Sequence, residues 1–143
     1  MIEEKCTNLM DIWHMFIRVF NLSKKKMGES LSHISAKPIE VRILYLLSED
    51  ESTVNKLAEL TDVTPAWITG TLDEMESQGL IVRSRSGEDR RVVNVHITEK
   101  GIEVLNESQK VYLDFLKRSL SSLTDSELDE FRRILKKIEE TLQ

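Results

Sequence analysis

A mainly α-helical fold with one small β-hairpin is what this sequence predicts, and three observations carry the prediction. Gly and Pro number only 5 and 2 in 143 residues, while Leu, Ile, Glu and Lys are plentiful. That composition suits helices and opposes disorder, collagen and β-rich folds. Apolar residues recur at helical spacing over most of the chain. The period changes only near residues 80–82 and 92–97, where β-prone runs alternate.

The elements follow in order. Leu9, Ile12, Trp13, Phe16 and Phe20 mark one face of a long helix from about Glu3 to Met27, and Met10, Met15, Ile17, Val19 and Leu22 widen its apolar surface. A helix apolar on so much of its circumference needs partners on more than one side. Gly28 to Lys37 reads as a break, and Pro38 opens the next helix through Ile39, Ile43, Leu44 and Leu47. Ser48 to Ser52 reads as a polar turn. Thr53 to Leu60 is a short helix with Val54, Leu57, Ala58 and Leu60 facing inward. After the turn Thr61-Asp62-Val63, Thr64-Pro65 is a strong helix start, and Ile68, Leu72 and Met75 share the inner face of a helix that stops near Gly79.

Two strands then flank the polar, glycine-containing loop Ser84 to Arg91, which makes a hairpin with a charged tip. Thr98-Glu99 starts another long helix, with Ile102, Leu105, Tyr112, Leu116, Leu120 and Leu123 at helical spacing. Thr124-Asp125-Ser126-Glu127 is a capping box. The last helix carries Leu128, Phe131, Leu135, Ile138 and Leu142, a coiled-coil-like seam. This order is a winged helix-turn-helix, residues 34–98, flanked by helical dimerisation segments at 1–33 and 99–143. The flanks cannot all bury their apolar faces against so small a middle, so pairing with a second copy is expected.

Composition also excludes. A single cysteine, Cys6, forbids an intrachain disulfide framework and four-cysteine zinc modules, and suits a reducing, cytoplasmic setting. No basic region leads into an apolar stretch at the start, so no secretory signal is visible. No run approaches the roughly 18 to 20 apolar residues that span a bilayer. His14, His33 and His96 are widely spaced and pair with no cysteine, which argues against a metal site. No nucleophile, base or metal constellation suggests an enzyme, and no cofactor is implied.

Charge is the difficulty for a nucleic-acid partner: 20 Lys+Arg stand against 25 Asp+Glu. Local placement must then do the attracting. Arg83, Arg85, Arg90 and Arg91 fall within nine residues that hold only two acids, Glu88 and Asp89.

The stretch from Val63-Thr64-Pro65 through Glu76-Ser77-Gln78-Gly79-Leu80-Ile81-Val82-Arg83, then Glu88-Asp89-Arg90-Arg91 and Thr98-Glu99-Lys100-Gly101, resembles the multiple-antibiotic-resistance regulator (MarR) family. The resemblance implies a homodimeric transcription factor, usually a repressor, whose grip on double-stranded DNA falls when a small ligand binds. By position, it puts the helix from Thr64 in the major groove and the Arg85–Arg91 wing in the adjacent minor groove. Arg91 matches the family's minor-groove arginine, with Asp89 holding a guanidinium in place. Gly70 and Glu74 depart from the pattern, standing where the family often has basic residues.

Nothing between Thr64 and Gln78 is Lys or Arg. The outward face of that helix is Ala66, Gly70, Asp73, Glu74 and Ser77, with Trp67 to one side. Thr64, Thr69 and Thr71 are hydrogen-bonding candidates, Gly70 allows close backbone approach, and Trp67 touches thymine methyls or sugars, or packs on the preceding helix. Lys37, Lys56, Arg83, Arg85 and Arg90 are the phosphate candidates. The resemblance also implies a crevice for anionic aromatics, for which Trp13, Ile17, Arg18, Tyr45 and Tyr112 are the candidates. Cys6 reads as a helix residue rather than a redox sensor. The competing class is a dimeric interaction protein whose winged helix has lost sequence-specific DNA binding, favoured by the acidic balance and opposed by the four arginines.

Overall fold

The computed structural model describes residues 2–34 and 36–143, and the chain divides into two compact units, one ending at Val111 and the other beginning at Tyr112. The first unit contains α1 (Ile2–Leu31), a 3-10 turn (Ser32–Ile34), α2 (Pro38–Glu49), β1 (Ser52–Thr53), α3 (Val54–Thr61), α4 (Pro65–Ser77), β2 (Ile81–Arg85), β3 (Val93–Ile97) and the start of α5 (Glu99–Ser119). The rest of α5 and α6 (Asp125–Leu142) make up the second.

The first unit is built on one apolar centre. Leu31 of α1, Ile43 and Leu44 of α2, Leu57 of α3, Ile68, Leu72 and Met75 of α4, Ile81 of β2 and Val95 of β3 are fully buried. The inner face of α4 is therefore the one its periodicity predicts. Caps fix the helix starts. Pro38 takes the first position of α2, where a missing N–H costs nothing, and the Lys37 N–H donates to the Glu40 carboxylate at 2.9 Å. Thr53 and Thr64 accept from the backbone N–H of Lys56 and Trp67, each at 3.2 Å.

Four expectations are corrected. α1 does not stop at Met27 but runs through Gly28 to Leu31. Glycine disfavours a helix interior by about 1 kcal/mol, but burial of Met27 and Leu31 on either side offsets it. Ser35, inside the expected break, lies outside the described residues. The polar turn after α2 contains a strand: β1 pairs antiparallel with β3, Ser52 opposite Val95, giving a three-stranded sheet in the order β1-β3-β2. Leu60 is exposed, because α3 is only eight residues long and ends at Asp62 in the left-handed region (φ 57°). Finally, α5 ends at Ser119, so Leu120 and Leu123 belong to a turn.

In the second unit the capping box forms as read. Thr124 Oγ1 accepts from the Glu127 N–H at 3.1 Å, and the Glu127 carboxylate accepts from the Thr124 N–H at 3.1 Å. Phe131, Ile134, Leu135, Ile138 and Leu142 of α6 are exposed.

Candidate nucleic-acid interface

The interface candidates gather on one side of α4 and on the β2–β3 hairpin. With Ile68, Leu72 and Met75 inward, α4 turns Ala66, Trp67, Thr69, Gly70, Asp73 and Glu74 to solvent, and Thr71 is half-buried. The Thr69 hydroxyl donates to the Pro65 carbonyl at 2.8 Å and that of Thr71 to the Trp67 carbonyl at 3.4 Å, so each spends its hydrogen on its own helix. Thr64 spends an acceptor on capping. A Cβ at Gly70 would meet nothing within 4 Å. Trp67 lines a broad open cleft over the α3–α4 turn with Ala58, Glu59 and Asp62. After α4, Gly79 takes the left-handed conformation (φ 78°) that lets the chain reverse into β2.

The acids of α4 are answered by cations from elsewhere. Lys37, at the start of α2, places Nζ 3.2 Å from Glu74 Oε2. Arg83 of β2 donates through Nη2 to Asp73 and, at 3.2 Å, to Glu76, while its backbone N–H donates to Glu76 at 3.1 Å. The Arg83 hydrogen bond holds the Glu76 carboxyl below the usual glutamate range, and the same bond raises Arg83 further. Arg83 thus ties the hairpin to α4. Lys37 and Arg83, both phosphate candidates from the sequence, are engaged with carboxylates.

The hairpin tip is organised by short-range hydrogen bonds. β2 and β3 pair from Ile81 opposite Ile97 to Arg85 opposite Val93. Beyond them the Ser86 N–H donates to the Val92 carbonyl at 2.9 Å and the Val92 N–H to the Asp89 carbonyl at 3.0 Å. Asp89 Oδ1 accepts from the Arg91 N–H at 2.9 Å and from Arg91 Nε at 3.3 Å. The Arg91 side chain is still 92% exposed, so it is aimed but not covered. Arg85 donates to the Arg90 carbonyl at 2.8 Å, whereas Arg90 itself and Lys56 stand in solvent.

A cleft of about 280 Å³ brings Thr69 of α4, Arg83, Arg91, Val92 and Val93 of the hairpin, and Thr53, Val54 and Asn55 at the start of α3 together. Asn55 was missed by sequence reasoning, as were the tethering roles of Asp73 and Glu76. The signals for the acids were their spacing and the arginine seven residues beyond Glu76. At the other end of the hairpin His96 Nδ1 lies 3.1 Å from Glu51.

The four effector candidates in the first unit are exposed. Trp13 and Ile17 stand on the exposed side of α1, Trp13 stacked on Phe16 at 5.8 Å between ring centres. Arg18 and Tyr45 are exposed, and neither described cleft includes any of the five. Tyr112, in the second unit, is half-buried, and burial raises its phenol above the ordinary value. Among the described residues, no group of three His, Cys, Asp or Glu side chains is placed to hold a metal, and no helix is long and apolar enough to cross a membrane. Cys6 is exposed.

Two short helices joined by a tight turn, the second leading into a hairpin tipped with arginine, define a winged helix-turn-helix regulator. Residues 38–93 match the model of the MarR family. That match, together with relatives and structural neighbours of the same kind, supports a MarR-family winged helix-turn-helix regulator, a class of DNA-binding transcriptional regulators and not of enzymes. It is 28% identical to the transcriptional repressor MdtR of Bacillus subtilis over 91% of this chain and 84% of that protein. The crystal structure of the regulator BldR from Sulfolobus solfataricus is similar at 28% identity and a TM-score of 0.78, covering 91% of this chain and 96% of that one. The fold also matches that of an E. coli MarR mutant crystallised with operator DNA, at 20% identity and a TM-score of 0.81 over 92% and 95% of the two chains.

Proposed function

We propose that the protein is a transcriptional repressor that binds a near-palindromic operator as a homodimer, with α4 in the major groove and the hairpin in the adjacent minor groove. The observation that carries this reading is the Arg91 guanidinium, held by Asp89, almost wholly exposed, and sharing one cleft with Thr69 of α4. A narrow minor groove attracts an inserted arginine, and a major groove admits a helix. The MarR structure with operator DNA supports DNA as the partner by likeness of fold.

The dimer is supported by surface that one chain leaves open. On α1, Leu9, Ile12, Trp13, Phe16, Val19 and Phe20 are each about half exposed, and Phe16 stacks on both Trp13 and Phe20. So continuous an apolar surface on a soluble helix marks an association site. Two-fold pairing then places two hairpins and two copies of α4 on one duplex, with half-sites roughly 34 Å apart. Phosphate contacts fall to Lys56, Arg85, Arg90 and the N-terminal backbone of α4, with Lys37 shared between Glu74 and a phosphate. A small aromatic anion is the effector class in this reading, with Arg18 as the cation offered to it.

The test is a titration of the promoter of its own gene against a scrambled duplex at two salt concentrations. Preferential binding to the promoter, with affinity falling as salt rises, is expected. Equal, weak binding to both duplexes overturns the reading in favour of an interaction protein.

A further inference from the structure

We propose that α4 reads thymine through its 5-methyl group, so that the operator carries A·T pairs where the first two turns of α4 enter the major groove. The inference rests on the DNA-binding reading above and adds what the helix recognises. The solvent side of those turns is Ala66, Trp67, Thr69 and Gly70: a methyl, an indole face, a second methyl, and bare backbone. The Thr69 hydroxyl hydrogen is engaged by Pro65, so what this exposed side chain still offers is its methyl and its acceptor lone pairs.

Guanine is most often specified by a bidentate Arg or Lys on O6 and N7. None lies on α4, and the two cations that reach it, Lys37 and Arg83, meet the carboxylates of Glu74, Asp73 and Glu76. A guanine facing α4 therefore gains no charged partner from the helix itself or from Lys37 and Arg83. A thymine presents a methyl to apolar contact, and its paired adenine presents an N6 donor that suits the free lone pairs of Thr69. Gly70, with no neighbour within 4 Å of a Cβ position, lets the base edges approach the backbone.

The experiment starts from duplexes selected by the full-length protein from a random pool. Each thymine of the selected half-site is replaced in turn by deoxyuridine, which removes the methyl and nothing else. At one or two positions per half-site, affinity should fall by about fourfold, the burial of a single methyl. Placing 5-methylcytosine at the same position of a G·C variant should recover part of the loss. Trp67→Ala and Ala66→Gly should shrink the uridine penalty, and the wild-type measurement stands even if a variant folds poorly. Binding that is indifferent to every thymine methyl, or a selected half-site that is G·C at these positions, overturns methyl reading while leaving DNA binding intact. Failure to select any duplex overturns both.

Discussion

Glu76 holds Arg83 by backbone and side chain: its carboxylate accepts from the Arg83 backbone N–H at 3.1 Å and from the guanidinium through Nη2 at 3.2 Å and Nε at 3.4 Å. The first bond anchors the middle of β2, and the other two fix where the Arg83 side chain points. Because Glu76 is on α4 and Arg83 is on the hairpin, one ion pair sets the angle between the two elements proposed to grip DNA. Asp73, which accepts from the same Nη2, keeps the guanidinium from rotating away.

Arg83→Gln should therefore cost more in operator binding than in stability. The side chains of Asp73 and Glu76 are 59% and 40% exposed, so their attraction is partly screened. A fall in Tm of roughly 2–4 °C is expected. Operator affinity should drop by about tenfold as the hairpin loosens from α4, a loss within the range of one misread base pair. Calorimetry and gel-shift titration on the same sample check both. A variant with wild-type operator affinity at matched salt removes the tether from the mechanism.

The same pair sets the acid side of the stability curve. Glu76 has a lowered folded-state value, caused first by the Arg83 hydrogen bond, and Glu130 is lowered likewise by Arg133. Stability from such groups is present above the ordinary glutamate range and is lost as pH falls through the lowered value. Tm should be nearly flat from about pH 7 to 5 and decline below about pH 4. Glu76→Gln should lower Tm at neutral pH and converge with the wild type in acid. Parallel curves at every pH would show that the Glu76 charge contributes nothing.

Arg91→Ala should separate specific from general binding. The guanidinium is 92% exposed and its ion pair is with Asp89 of its own loop, so its removal should leave stability unchanged to within about 0.5 kcal/mol. Operator affinity should fall by about tenfold, more than affinity for a scrambled duplex. Asp89→Ala should have a smaller effect in the same direction, because it frees the side chain without deleting the charge. Equal losses on both duplexes would reduce Arg91 to a phosphate contact.

Periodicity made the long-range architecture legible, and it failed where an element is too short to have a period. Ile68, Leu72 and Met75 announce the inner face of α4 by spacing alone, and all three are fully buried. β1 has two residues, Ser52 and Thr53, and owes its existence to the edge that β3 offers it. Gly28 looks like punctuation in sequence, but tertiary burial of its neighbours carries α1 past it. In the interface, the Asp89–Arg91 pair was legible because its partners are two residues apart. The Lys37–Glu74 pair was not, since 37 residues separate its partners and only the fold brings them together.

Two glycines should respond to alanine with opposite signs. Gly70 is in the exposed interior of α4 with open space around it, so Gly70→Ala should stabilise the fold by about 0.5–1 kcal/mol. If bases approach there, Gly70→Leu should weaken operator binding although the helix tolerates it. A Cβ at Gly101 would strike the Leu80 carbonyl oxygen and sit 2.8 Å from Ile97 Cγ1. Gly101→Ala should therefore destabilise by about 1–3 kcal/mol, typical of overpacking. Denaturant midpoints read both, and like signs would contradict the packing described.

The α1 face should control assembly independently of the core. Phe16 is 48% exposed, stacked between Trp13 and Phe20, and lies four turns from Leu31, where α1 enters the apolar centre of the first unit. Phe16→Glu places a charge on the surface proposed to bury against a second copy, and desolvating an unpaired carboxylate there costs several kcal/mol. Sedimentation should shift from dimer to monomer, while the circular dichroism of the winged helix persists because none of its buried residues is altered. Operator binding should fall far more than for Arg91→Ala, since a single chain engages one half-site and loses the gain of holding two at once. A Phe16→Glu variant that still sediments as a dimer, with operator affinity unchanged, would move the association surface away from α1.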